Sequence, residues 1–156
     1  YYVEGIHNYC LDVVTRQIWV HGIDINTAEY EGQEPGVEYM MATKFIKNLH
    51  ILRKQSDSEP VTVHLHTCGG IFEEGMAMYD AIKLMPYPIT IISYTHARSM
   101  SSIIFQAGKT RLMLPSSYFL FHFQSFSISF SFSISFLFSF PNLKVDFQSN
   151  PIFVNL

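Results

Sequence analysis

Val61-Thr62-Val63-His64-Leu65-His66-Thr67-Cys68-Gly69-Gly70 carries two signals in one short run. Residues 61–66 alternate with a period of two, which suits a half-buried strand, and the glycine pair suits a tight strand-to-helix turn. Downstream, Glu73 to Met85 reads as a helix with acids in its first turn, facing the positive end of the macrodipole, and a stop at Pro86. Ile89 to Tyr94 is the next strand. Ser99 to Ala107 has the small and apolar residues of a buried helix, Gly108 ends it, and Arg111 to Leu114 opens a further strand leading to Pro115 and His122. The order βαβαβ implies right-handed crossovers, a largely parallel sheet, and functional residues where strands hand over to helices. The expected fold class is α/β.

Upstream, residues 17–23 read as a short buried strand closed by Gly22, and the acidic stretch 24–38, with Pro35 and Gly36, as a loop. Val37 to Arg53 has helical spacing, with Val37, Met40, Met41, Phe45, Ile46, Leu49 and Leu52 on one face. Met40, Met41, Met76, Met78 and Met85 are expected to pack as core. Beyond Phe123 the character changes: Phe or Ile alternates with Ser through residues 126–140. Six of these 15 positions are Ser, which argues against a membrane helix. It reads as low-complexity sequence from a repetitive or frame-shifted stretch, and no function is drawn from it. The expected division is a folded unit over 1–122 and a tail over 123–156.

At 156 residues and 48% hydrophobic, the chain can bury a core without disulfide or metal staples. Ten basic residues against 13 acidic ones, with no basic block, argue against a nucleic-acid partner. Cys10 and Cys68 show neither metal-ligand spacing nor a secreted disulfide framework, and no signal peptide stands at the start, so a reducing, cytoplasmic setting is expected. Because the sequence opens at Tyr1 rather than Met, a fragment or processed product is expected.

A serine nucleophile needs a base, a group orienting that base, and backbone N–H groups aimed at the developing oxyanion. Ser99 stands between a strand and a helix, where a serine is ordinarily an N-cap. Gly69-Gly70 would let amides approach a substrate carbonyl, although glycine pairs usually just relieve turn strain. His122 ends a strand, a place where most histidines are structural. His64 and His66 share a strand face, yet no Cys or acidic partner follows at ligand spacing, so neither metal nor cofactor is expected. Cys68 has no sequence cue for a nearby base and reads as packing.

Over residues 17–122 the sequence resembles the Clp protease proteolytic subunits, ring-forming serine peptidases of the ClpP/crotonase fold, built of stacked strand-turn-helix units. The resemblance rests on three motifs. Thr67-Cys68-Gly69-Gly70 followed by Gly75-Met76-Ala77-Met78-Tyr79-Asp80 is similar to the family's Ser-Pro-Gly-Gly turn and its helix ending in Tyr-Asp. Ala97-Arg98-Ser99-Met100 matches the nucleophile segment, and Leu114-Pro115-Ser116-Ser117 with His122 matches the segment of the base. The resemblance implies Ser99 as nucleophile, His122 as base, and the backbone amides of Gly70 and Met100 as the oxyanion hole. It also implies unfolded protein or peptide substrates paired as an added strand, a homo-oligomeric ring, and an AAA+ unfoldase ATPase as partner. Cys68 stands where the family has Pro, and Thr95 where it has Gly. The family's third triad residue, an Asp, has no counterpart: the only acid after His122 is Asp146, outside the resembling region. Two other classes share these features: a catalytically inactive subunit of the same fold, and a crotonase-type acyl-CoA enzyme.

Overall fold

The computed structural model describes residues 2–21 and 36–120. Its elements run α1 (Tyr2–Tyr9), β1 (Leu11–Asp12), β2 (Gln17–Val20), α2 (Tyr39–Gln55), β3 (Val61–Leu65), α3 (Phe72–Leu84), β4 (Ile89–Ser93), β5 (His96–Arg98), α4 (Met100–Ala107), β6 (Thr110–Met113) and β7 (Tyr118–Leu120). The main sheet has the order β1-β2-β3-β4-β6, parallel except for the antiparallel edge strand β1. A small sheet pairs β5 with β7 in parallel.

From β2 to β6 the chain adds strands in one direction only, so right-handed crossovers deliver every connecting helix to the same face. The burial pattern agrees. Ile18 and Val20, Val61, Val63 and Leu65, and Ile89 and Ile91 are buried with Met41, Phe45, Leu49 and Leu52 of α2, Met78 and Ile82 of α3, and Ile104 and Phe105 of α4. Gln17, Trp19, Thr62, His64, Thr90 and Ile92 alternate with them and are half-buried. That second face explains why the strands of this parallel sheet read as alternating rather than uniformly apolar.

Helix α2 starts at Tyr39, not Val37. Val37 is drawn into an isolated parallel bridge with Gly70, and Glu38 takes the N-cap, its carboxylate accepting from Met40 N at 2.7 Å and Met41 N at 2.6 Å. Met40 consequently faces solvent, while Met41, Met78 and Met85 pack in the core. At the other end, buried Arg16, itself at φ +56°, donates to four carbonyls: Leu52 (2.9 Å), Ser56 (3.2 Å), Glu59 (3.2 Å) and Pro60 (3.4 Å). The guanidinium thus satisfies the open end of α2 and the turn into β3 together. Its other face rests on Tyr87, 5.2 Å from the ring centroid, and the Tyr87 hydroxyl donates to Leu49 O at 2.7 Å. No helix among the described residues is long and apolar enough to cross a membrane.

Replacing Arg16 by Ala takes this donor from the buried Leu52 carbonyl and from three part-buried ones and is expected to lower the unfolding free energy by about 3 kcal/mol in urea titration. Arg53→Ala removes only an exposed pair with Asp57 and is expected to lower it by less than about 0.5 kcal/mol. Burial pushes the Tyr87 phenol up to about 12, against the pull of Arg16. A folded value above the unfolded one, about 10, means its contribution is complete below pH 10 and is lost as pH climbs toward 12. Denaturation midpoints should therefore decline across that window, and Tyr87→Phe should flatten the decline.

Candidate active site

Two strand-to-helix turns meet at one end of the main sheet. The first leaves β3 through Thr67, Cys68, Gly69 and Gly70 and enters α3. Gly69 has φ +100° and Gly70 φ +152°, values open to glycine and strained for other residues. Space is as restrictive as torsion. A methyl group on Gly69 would stand 2.7 Å from Met100 N, 2.7 Å from Ser99 Cβ and 2.9 Å from Arg98 O, and one on Gly70 would overlap the backbone N and O of Val37. The glycine pair therefore lies sandwiched between the Val37 segment and the second turn.

That second turn is Ser99, between β5 and α4. Ser99 adopts φ +52° and ψ −132°, and although it holds the N-cap position its side chain makes no capping hydrogen bond. The neighbouring serines do the local work instead. Ser101 Oγ donates to Arg98 O at 2.6 Å and accepts from Arg98 N at 3.0 Å, while Ser102 donates to Ser99 O from Oγ at 2.6 Å and from N at 3.0 Å. These hydroxyls are buried yet satisfied, and they hold a non-glycine residue in a conformation that costs about 1–3 kcal/mol. The Ser99 hydroxyl takes no part in capping and stands at the opening amides of α4.

Backbone pairing sets the direction of the Gly70 amide. Val37 N donates to Gly69 O at 2.6 Å and Ile71 N to Val37 O at 2.9 Å, so the groups flanking Gly70 face Val37. In a parallel bridge of this kind the N–H and C=O of Gly70 point the other way. Ile71 and Phe72, both exposed, add apolar surface next to that edge.

The structure thus brings Ser99 and Met100 against Gly69, the residue before Gly70, from a turn far apart in sequence. His122 lies outside the described residues, as do Asp146 and residues 123–156. The nearest described element is β7, whose last pair joins Leu120 to Arg98. Both nitrogens of His64 are engaged, Nδ1 with Tyr94 Oη at 2.7 Å and Nε2 with Gln17 Oε1 at 2.6 Å. Among the described residues no three His, Cys, Asp or Glu side chains gather to hold a metal. Sequence reasoning missed Val37 as a wall of the site. The available signal was Gly36, where a methyl would stand 2.8 Å from Gly69 O. Because Ser99 bears the torsional cost, Ser99→Gly is expected to be more stable than Ser99→Ala by about 1 kcal/mol in parallel denaturant titrations.

The Clp protease family model matches residues 33–131, more than half of the chain. The ATP-dependent Clp protease proteolytic subunit of Deinococcus radiodurans is 30% identical over 88 residues, 55% of this chain and 43% of the relative. That of Leuconostoc citreum is 31% identical over 88 residues, 55% and 44%, and subunit 2 of Pseudomonas aeruginosa 32% over 89 residues, 56% and 44%. The chain therefore spans less than half the length of these relatives. ClpP1 from Listeria monocytogenes superposes with a TM-score of 0.59 at 19% identity, covering 80% of this chain and 66% of that one. A point mutant of the same protein gives 0.57 at 22%, covering 68% and 56%. These structures show a shared fold, and with a family model that runs through both the glycine turn and the serine elbow, the chain belongs to the Clp protease family.

Proposed function

We propose that this chain is a serine endopeptidase, the proteolytic subunit of an ATP-dependent Clp-type protease. The observation that carries the reading is the strained, uncapped Ser99 pressed against Gly69 of the glycine turn. Ser99 Oγ attacks the peptide carbonyl carbon while the His122 imidazole takes its proton, and the Gly70 and Met100 amides receive the carbonyl oxygen as it becomes an oxyanion. The proton then passes from His122 to the leaving amine as the C–N bond breaks. Water, deprotonated by the same imidazole, releases the acyl group from Ser99.

Chain reach supports His122 as the base. Leu120 pairs with Arg98, the residue before Ser99, and two further residues of chain span at most about 7 Å. That length of chain is enough to let an imidazole at position 122 turn toward the elbow. The outward edge at Gly70 suits an extended substrate added as a strand, a mode that reads main chain and tolerates many side chains. Unfolded protein or peptide is the substrate class that follows. A homo-oligomeric ring, an AAA+ ATPase partner and a cytoplasmic setting come with the family reading, as does a peptidase unit ending at residue 122. No Asp is assigned to orient His122, and in other triads removing that carboxylate lowers kcat by about four orders of magnitude.

Fluorophosphonate labelling of the full chain tests the proposal. The probe should attach at Ser99, Ser99→Ala should abolish attachment, and His122→Ala should slow it by about a hundredfold or more. Absence of labelling in a folded chain would overturn the reading in favour of an inactive subunit. Turnover of acyl-CoA thioesters that survives Ser99→Ala would favour crotonase chemistry instead.

A further inference from the structure

The face of the main sheet left bare by the helices carries a continuous chain of hydrogen bonds. It begins at the Asp12 carboxylate, buried at the β1 edge, which accepts from Val14 N at 2.9 Å, from Thr15 N at 3.2 Å and from the Thr15 hydroxyl. Gln17 Nε2 donates to Thr15 Oγ1 at 2.8 Å, and Gln17 Oε1 accepts from His64 Nε2 at 2.6 Å. A carbonyl oxygen can only accept, so His64 must carry its proton on Nε2 and offer a lone pair at Nδ1. Tyr94 Oη, 2.7 Å away, is then the donor. Every hydrogen in the chain points toward Asp12, across β2 and β3 to the residue that follows β4. Trp19, the only tryptophan, stacks on the His64 ring at 4.8 Å and 10°.

We propose that His64 is a proton sensor built into this face. In mild acid a proton from solvent occupies Nδ1, the Tyr94 hydroxyl reverses to accept it, and a cation appears beneath Trp19. Among the described residues the other titratable groups near it are few. Tyr94 faces it from just past the end of β4, and His66 follows two positions on, just past the end of β3. Asp12 acts through Thr15 and Gln17, and His21 lines a small cavity together with Trp19. From β4 and β6, Ile92 and Leu112 contribute no charge, and Arg111 turns to the other face, onto the carbonyls of Gln106 and Gly108. Burial holds the His64 imidazole below its usual value. With the folded value below the unfolded one, about 6.5, the stabilisation is complete above that pH and is lost as pH falls through the lower folded value. Tyr94 opens the turn into β5 and Ser99, so the sensor sits at the root of the elbow without belonging to it.

The test uses Trp19 fluorescence of the full chain between pH 8 and pH 4.5, which does not depend on the peptidase reading. Intensity should fall with one midpoint below about 6.5 as the imidazolium forms against the indole. His64→Gln, which keeps hydrogen-bonding capacity without a titrating ring, should abolish that step and the matching loss of urea stability. Tyr94→Phe deletes the donor that favours the neutral ring and should raise the midpoint by about half to one pH unit. A flat titration, a step that survives in His64→Gln and so belongs to His66 or His21, or a midpoint unmoved or lowered by Tyr94→Phe would each overturn the proposal.

Discussion

The arrangement depends on a close passage of main chain past main chain. At Gly69-Gly70 one peptide ribbon runs between Val37 on one side and the Ser99–Met100 peptide on the other, with no room for a Cβ on either glycine. Side chains normally keep backbones further apart, and their removal here brings amides from three distant segments to one point. Each neighbouring element adjusts to that contact. Val37 leaves the helical pattern to pair with Gly70, α2 begins two residues later under a Glu38 cap, and α3 begins immediately beyond Ile71.

The same contact explains a feature of α4 that is otherwise odd. Ser101 and Ser102 are buried in the first turn of an apolar helix, where hydroxyls compete with the backbone and are ordinarily disfavoured. Here that competition is useful. Their oxygens return to Arg98 and Ser99, fastening the residues on either side of the positive-φ position. Strain at Ser99 is sustained because its flanks are over-determined: Gly69 blocks movement toward β3, the two hydroxyls block unwinding of α4, and β5 is paired with β7. Gly75 extends the wedge, since the Met100 side chain fills the space above it and joins α3 to α4.

Much of this was legible in the sequence because the informative residues act locally. Period-two alternation in Val61 to Leu65 and Ile89 to Ser93 marked the central strands, and Glu73, Glu74 and Pro86 bracketed α3 to within a residue or two. The glycine pair and the serine elbow were visible as turn chemistry, and the resemblance linked them. What escaped was decided by tertiary pairing. Val37 and Met40 fit a helical face by spacing, yet the bridge to Gly70 claims the first and turns the second to solvent. Strands β5 and β7 have three residues each, too short for periodicity, and exist because they pair with one another. The antiparallel edge strand β1 and helix α1 likewise lack a pattern long enough to announce them.

The one-sided sheet brings the remaining observations together. Monotonic strand order sends α2, α3 and α4 to a single face, so the opposite face must be satisfied by its own side chains. A parallel strand covered on both sides would be a run of Val, Ile and Leu, whereas Thr62 and His64 interrupt β3 at every second place. Polar groups on such a face are half-desolvated without helix partners, and the cheapest remedy is to bond sideways across strands. Asp12, Thr15, Gln17, His64 and Tyr94 do so in sequence, each donor facing the carboxylate. The alternation that first identified β3 as a strand is therefore also the reason its imidazole sits where both ring nitrogens have partners, one on β2 and one at the end of β4.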